Sequence, residues 1–165
     1  MEQELKPFMK STNTPVVGQP VTITLYVSAE DLYNVVPQPS LDQQDELDAY
    51  CILGDNNDIS RGKPEPGGNL NTFTSQIYYN KQVNWFGDNI LDNGYQVNID
   101  SITNAGSLFP SETLNGNGGR VVGTPNKTSG GDTYTLNFSI VAPGQGPPED
   151  RTKKYHLDPK LGGNP

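Results

Sequence analysis

The sequence has 165 residues, enough for one domain with a sizeable core, and a formal net charge of −8. That charge argues against a nucleic-acid partner, because phosphate binding requires a basic face. No run approaches the roughly 20 apolar residues of a membrane-spanning helix, and the N-terminal stretch lacks the apolar core of a signal peptide. We therefore expect cytosolic synthesis and no membrane insertion. The single cysteine, Cys51, excludes an internal disulfide framework.

Turn-forming residues are abundant, with 18 Gly and 14 Pro, which predicts many turns and few long helices. Eight Tyr, five Phe and one Trp lie in patterned segments, whereas disordered chains are poor in aromatic residues. We predict an N-terminal arm over residues 1–18 and a single β-sandwich domain over residues 19–165.

The first strand is predicted at Val21–Val27, where apolar and polar residues alternate. The next segment, SAEDLYNVV, predicts a short helix, because Ser28 can cap it and Glu30 and Asp31 favour its first turn. Pro37 must end that helix, since proline cannot continue it.

Further strands are predicted at AYCIL, LNTFTSQI, VNWF, YQVNIDSI, RVVG, TYTLNFSIVA and RTKKYHLDPKL, separated by long polar loops. The dipeptide Asn93–Gly94 is typical of a hairpin turn and would pair VNWF with YQVNIDSI. Seven or eight short strands indicate an antiparallel β-sandwich, jelly-roll-like, with one short helix after the first strand.

The only tryptophan, Trp85, is either a ligand platform or an inward-facing anchor. It shares a face with Val83, and the alternation in YQVNIDSI offers apolar partners across the predicted hairpin. We therefore assign it to the core. The residues predicted to form the structural core are Trp85, Tyr95, Val97, Ile99, Leu136 and Phe138.

Five segments spread between Val21 and Leu161 carry a resemblance to a known family. They are TITLYVSAEDLYNVV, AYCILG, VNWFGDNILDNGYQVNI, TYTLNFSIV and KKYHLDPKL. As an ordered set, they resemble the bacterial inclusion-body proteins of the PixA/AidA type. In that family an apolar strand runs into a short acidic helix, and a tryptophan strand is followed by a polar turn. The resemblance implies a β-sandwich that packs into intracellular inclusions, and it does not imply an enzyme.

The single histidine, His156, shares a face with Lys154 and Asp158 and is predicted to face solvent. A catalytic histidine requires a positioned nucleophile and an orienting acid, and no motif supplies them. One histidine and one cysteine also argue against a structural zinc site, which needs several such ligands. We expect no catalytic residues and no enzymatic activity.

Calcium is the one metal for which the sequence offers ligands. Asp55, Asn57 and Asp58 in GDNNDIS bring oxygen side chains close together, as Ca²⁺ requires. The segment lacks the glycine and distal glutamate of an EF-hand loop, and Asp and Asn also favour turns for backbone reasons. We prefer the turn interpretation and expect no cofactor, with calcium as the alternative.

Two surface features point to different partners. Tyr78, Tyr79 and Asn80 beside a turn are the candidate ligand residues of a carbohydrate site, because lectins combine an aromatic platform with loop amides. Near the C-terminus lie the candidate assembly residues Arg151, Lys153 and Lys154. They form either a solvated, charged edge strand or a basic surface complementary to an acidic neighbour.

Two functional hypotheses follow. The first is a non-enzymatic, self-associating structural protein of a bacterial intracellular inclusion, whose partner is a second copy of the chain. The alternative is a lectin-like, carbohydrate-binding β-sandwich module assisted by calcium.

Overall fold

The computed structural model of the protein describes residues 18–35, 47–56, 70 and 73–165. The predicted N-terminal arm therefore lies outside the described residues except for Gly18, and so does Pro37 at the expected end of the helix. A 3₁₀ helix spans Pro148–Arg151. Eleven strands and a short α-helix also lie within the described ranges. In chain order they are β1 (Val21–Val27), α1 (Ala29–Tyr33), β2 (Cys51–Asp55), β3 (Thr74–Tyr78), β4 (Val83–Asn89), β5 (Gln96–Thr103), β6 (Thr113–Asn115), β7 (Arg120–Gly123), β8 (Gly130–Thr133), β9 (Thr135–Val141), β10 (Thr152–Leu157) and β11 (Lys160–Asn164).

Hydrogen bonding joins these strands into three sheets. The first sheet has the strand order β2-β1-β4-β7, the second β10-β9-β5-β6 and the third β3-β11-β8. Most neighbours are antiparallel, but β1 pairs with β4 and β3 pairs with β11 in parallel. The predicted mostly-β fold with a short helix after the first strand is confirmed, whereas the expectation of wholly antiparallel sheets is wrong. The jelly-roll-like arrangement stays a prediction.

The parallel pair of β1 and β4 follows from their apolar positions. Val21 lies opposite Val83 and Ile23 lies opposite Trp85, and all four side chains are buried. Because side chains alternate between the two faces of a strand, this register turns the apolar set of both strands toward the core. The shared apolar pattern of β1 and β4, and not a hairpin turn, therefore accounts for the pairing of these two strands.

The strand that holds Trp85 does not form a hairpin with the strand that follows it. β4 pairs with β1 and β7, whereas β5 pairs with β9 and β6 in the second sheet. The two strands instead approach across the core, where a Cβ added to Gly87 would lie 2.4 Å from Val97 Cγ1. The expected pairing of VNWF with YQVNIDSI is therefore wrong, because the turn between them connects two sheets.

Trp85 lies at the centre of a buried aromatic cluster. Its side chain is 0% exposed, and its ring centroid is 5.9 Å from the rings of both Phe109 and Tyr134. The indole N–H donates a hydrogen bond to the Tyr134 hydroxyl at 3.1 Å. Large aromatic rings contribute much of the apolar area in a small core, and this hydrogen bond satisfies the polar atom of the indole.

The other residues predicted for the core have mostly inward positions. Tyr95 is half-buried and meets the Tyr33 ring edge-on, with centroids 5.7 Å apart. The remaining four, all buried, are Val97, Ile99, Leu136 and Phe138.

Helix α1 begins without the side-chain cap that the sequence predicts. Ser28 occupies the N-cap position, but its side chain makes no capping hydrogen bond. Instead, the Asn89 side-chain oxygen accepts from the Ala29 backbone N–H at 3.4 Å. Glu30 and Asp31 lie in the first turn, where acidic side chains favour the helix N-terminus. None of the helices in the described ranges is long and apolar enough to cross a membrane.

Candidate functional site

The outer face of the second sheet carries a regular array of polar side chains. Inward-facing neighbours on the same strands, such as Phe138 and Ile140, are buried, so the alternating residues are left on the outer side. The polar face, as we call it, consists of one row of Lys154, Ser139 and Asn98, a second row of His156, Asn137 and Ser101, and Asp100 beside them.

A β-bulge in β5 places Asp100 in this array. The pairing of β5 with β9 shifts between Ile99 and Ser101, so Asp100 is the extra residue. In a regular strand two consecutive side chains point to opposite faces, whereas a bulge re-aims one of them. Here Asp100 and Ser101 both contribute to the polar face, and Ile102 returns to the core.

Hydrogen bonds from β9 hold the bulged segment in place. The Asn137 side-chain amide donates to Ser101 Oγ at 3.1 Å and to Thr103 Oγ1 at 3.3 Å. The Ser139 hydroxyl donates to Asp100 Oδ1 at 3.1 Å. These contacts join side chains more than 30 residues apart in sequence, so the polar face is positioned by the sheet and by its own side chains.

A shallow cavity lies on the polar face. It has a volume of about 270 Å³, and its polar lining includes Asp100, Asn137, Lys154 and His156. A second cavity of about 380 Å³ adjoins it through Asp100 and is lined by Asn98 and the glycine-rich turn 116–119. Asp100 is therefore the residue that the two cavities share.

Opposing effects act on the pKa of Asp100. Partial burial of the carboxyl group raises its pKa above the ordinary value of 3.8. The Ser139 hydrogen bond and the positive charge of Lys154 act in the opposite direction and stabilise the carboxylate. A carboxylate and an ammonium group thus share one cavity.

His156 lies on the face predicted for it, but it is half-buried rather than fully solvent-facing. Its Nε2 atom is buried and has no hydrogen-bond partner among the described residues. A buried polar atom without a partner costs the fold roughly 1–3 kcal/mol, so a group that reached it would relieve that cost. Lys154, next to it in the cavity wall, is exposed.

These side chains are suited to hydrogen bonding with a small molecule. The carboxylate accepts, the ammonium donates, and amides and hydroxyls do both. No group of three or more His, Cys, Asp or Glu side chains that would hold a metal ion occurs in the described ranges.

The sequence indicates this site by a break in the apolar alternation of strand β5. Apolar residues fall at 95, 97 and 99 and then at 102, and this extra step marks the bulge.

Of the three residues predicted to bind calcium, Asp55 lies within the described residues. Asp55 ends strand β2 and is buried, and its carboxylate accepts a hydrogen bond from the Ser75 hydroxyl at 2.6 Å. This bond joins the first sheet to the third. Asn57 and Asp58 lie outside the described residues, so their part of the calcium prediction stays a prediction.

The three predicted carbohydrate residues have different environments. Tyr78 is buried at the end of β3, whereas Tyr79 is 48% exposed in the following turn. Asn80 is exposed with a φ of 62°, and its backbone N–H donates to the Pro125 carbonyl at 3.0 Å. Only Tyr79 offers an aromatic ring to solvent here.

The predicted assembly residues Arg151 and Lys153 make hydrogen bonds inside the chain. Arg151 donates hydrogen bonds to the carbonyls of Ala142 and Gly146 and so holds the loop before β10. The Lys153 ammonium donates to the Tyr33 carbonyl at 2.7 Å and lies 4.4 Å from the centre of the Tyr33 ring. An assembly role for these residues and for the exposed Lys154 stays a prediction.

The architecture places the protein among mostly-β proteins built from three sheets around one core. No protein-family model and no curated protein matches the chain. Among solved structures, the inclusion body protein PixA from Burkholderia cenocepacia J2315 has a similar fold, with a TM-score of 0.55 and 12% sequence identity. The similarity covers 88% of this chain and 95% of that chain. The resemblance drawn from the sequence is thus confirmed in the fold.

Proposed function

We propose that the protein is a non-enzymatic structural protein that associates with itself in a bacterial intracellular inclusion or a similar ordered assembly. Two things support the proposal. One is the fold it shares with a protein described as an inclusion body protein. The other, which carries the proposal, is a set of exposed apolar side chains on the outer face of the first sheet, where polar side chains lie among them.

This apolar face consists of side chains that alternate with the core positions of the first sheet. Ile52 lies opposite Tyr26 at one edge, and Val122 lies near the other edge. Ile52 is 38% exposed and Val122 is 43% exposed. Between them lies the half-buried Phe86, with the Arg120 guanidinium 5.2 Å above its ring. Polar outward-facing side chains, including Thr22, Asn84 and Asp88, lie among these apolar residues, so the face offers separate apolar contacts to a second copy of the chain rather than one continuous patch.

Strand β2 lies at one end of the strand order of the first sheet. Four of its five residues are buried, and Ile52 is the exposed one. The adjoining turn also exposes Ile90 and Leu91, which extends the apolar surface available for contact.

Electron microscopy of bacteria that express the chain tests the proposal. We expect ordered intracellular bodies with the wild type and a loss of order in an Ile52→Lys, Val122→Lys double variant. A Thr128→Lys, Gln145→Lys double variant is the matched control, since it adds the same charge at exposed positions elsewhere. Evenly dispersed wild-type protein at high expression, without any bodies, would refute the proposal.

A further inference from the structure

The polar face lies on a different sheet from the apolar face that we propose for self-association. Its two adjoining cavities, of about 270 Å³ and 380 Å³, share Asp100. Ligand sites typically measure roughly 300–1,000 Å³, so the two cavities are at the small end of this range and suit a small molecule. The first cavity lies over paired strands, which hold side chains more rigidly than loops do.

The chemistry of the lining restricts the class of that molecule. The Asp100 carboxylate would repel a strongly anionic ligand, and the Lys154 ammonium in the same cavity would repel a cationic one. A neutral ligand rich in hydroxyl groups avoids both conflicts, because each hydroxyl can donate to the carboxylate or accept from the ammonium. Asn137 and Ser101 add further polar groups to the wall.

Two observations show that the polar face is arranged beyond what the fold requires. The bulge brings the exposed Asp100 side chain to this face, where it lines both cavities and accepts a hydrogen bond from Ser139. The buried His156 Nε2 atom has no hydrogen-bond partner among the described residues. Buried polar groups without a partner are more common at binding sites than on bare sheet surfaces.

From this geometry we infer that the polar face is a binding site for a neutral saccharide, with the Asp100 carboxylate accepting from ligand hydroxyl groups and Lys154 donating to them. This location differs from the turn of Tyr79 and Asn80 that the sequence suggests for carbohydrate. It also leaves the apolar face free, so binding and self-association are independent.

The single histidine makes a nuclear magnetic resonance test direct, because the imidazole signals of His156 have no competitors in the spectrum. We would titrate ¹⁵N-labelled protein with glucose, galactose, mannose and N-acetylglucosamine, and with glucuronate and glucosamine as charged probes. We expect at least one neutral sugar to shift the His156 ring signals and the amides of Asp100 and Ser101 in a saturable manner.

Variants separate this site from the other carbohydrate candidate. Asp100→Ala should weaken binding at least about tenfold, since it removes hydrogen bonds to a charged acceptor. Lys154→Gln should also weaken binding, and its exposed position makes it a folded second variant. Tyr79→Ala should leave the titration unchanged. No saturable shift with any neutral sugar, binding of charged probes alone, or shifts confined to Tyr79 and Asn80 would each overturn the inference.

Discussion

At the residue scale, two buried tyrosines differ in whether the hydroxyl group has a hydrogen-bond partner among the described residues. The Tyr134 hydroxyl accepts from the Trp85 indole N–H, and burial raises the pKa of Tyr134, so that its hydroxyl stays neutral. The Tyr155 hydroxyl is also buried, but it has no hydrogen-bond partner among the described residues. Its ring stacks on Phe138 with centroids 5.3 Å apart. The two positions are therefore alike in burial and opposite in hydrogen bonding.

Removing these hydroxyls should have opposite effects. Tyr134→Phe leaves the Trp85 N–H without its acceptor and should destabilise the fold by about 1–3 kcal/mol. Tyr155→Phe removes a hydroxyl that gains nothing from the fold and should be neutral or stabilising by about 1 kcal/mol. Urea denaturation of both variants measures the difference. An equal loss of stability in the two variants would contradict this account of the core.

Trp85 itself should be indispensable to folding. Trp85→Ala removes the largest fully buried side chain and should cost about 3–5 kcal/mol, a large share of the stability of a small domain. Phe86→Ala, on the same strand but facing outward and half-buried, is the control and should cost clearly less. Circular dichroism melting checks both variants. A Trp85→Ala protein with an unchanged melting temperature would show that the indole is not a core anchor.

The ionisation of Asp100 should make a small, pH-dependent difference. Its folded pKa lies above 3.8, so the folded state binds this proton more tightly and stability falls as pH rises through the folded pKa. Asp100→Asn removes that penalty and should be slightly more stable than wild type at neutral pH, by a small amount because the side chain is exposed and solvent screens its charge. The advantage should vanish as pH falls toward 3.8. Melting temperatures between these pH values measure it, and a variant less stable at neutral pH would speak against the partial burial.

At the element scale, alternation locates strands well but does not assign their partners. The predictions of β1, β5 and β9 from alternating residues agree with the structure, because each has one face in the core. The sequence does not predict the glycine-rich strands β8 and β11 as separate strands, because most of β8 falls in a polar loop and β11 begins inside the last predicted strand. They have few side chains to signal a face. What fixes them is backbone pairing with distant strands, which a single sequence does not display.

Strand β11 should matter more than its composition indicates. It is the central strand of the third sheet, with Leu161 buried and the Asn164 amide donating to Gln76 Oε1 at 2.9 Å. A chain that ends at Pro159 leaves β3 and β8 without their shared partner, so we expect a lowered melting temperature or no folded protein. Removing Pro165 alone is the control. A folded, equally stable chain without β11 would contradict its central position.

At the scale of the whole molecule, the two principal sheets turn different outer faces to their surroundings. The first sheet presents exposed apolar residues, Ile52 and Val122, among polar ones, whereas the second presents the polar face around Asp100. The sequence shows which residues of each strand are polar, but it does not show which strands share a sheet. Ile52 and Val122 lie on the same face because β1 and β4 join their two strands in one sheet. The candidate site was missed for the same reason, because Asp100 and His156 come together only when β5, β9 and β10 pair.

The central claim is self-association through the apolar face, and sedimentation velocity of the purified protein tests it most directly. Across a range of concentrations we expect species larger than the monomer, whose fraction rises with concentration and persists at high salt, because apolar contacts are not screened. The Ile52→Lys, Val122→Lys variant should sediment as a monomer, and the Thr128→Lys, Gln145→Lys control as the wild type does. A wild-type protein that is strictly monomeric at every concentration and salt would contradict the claim.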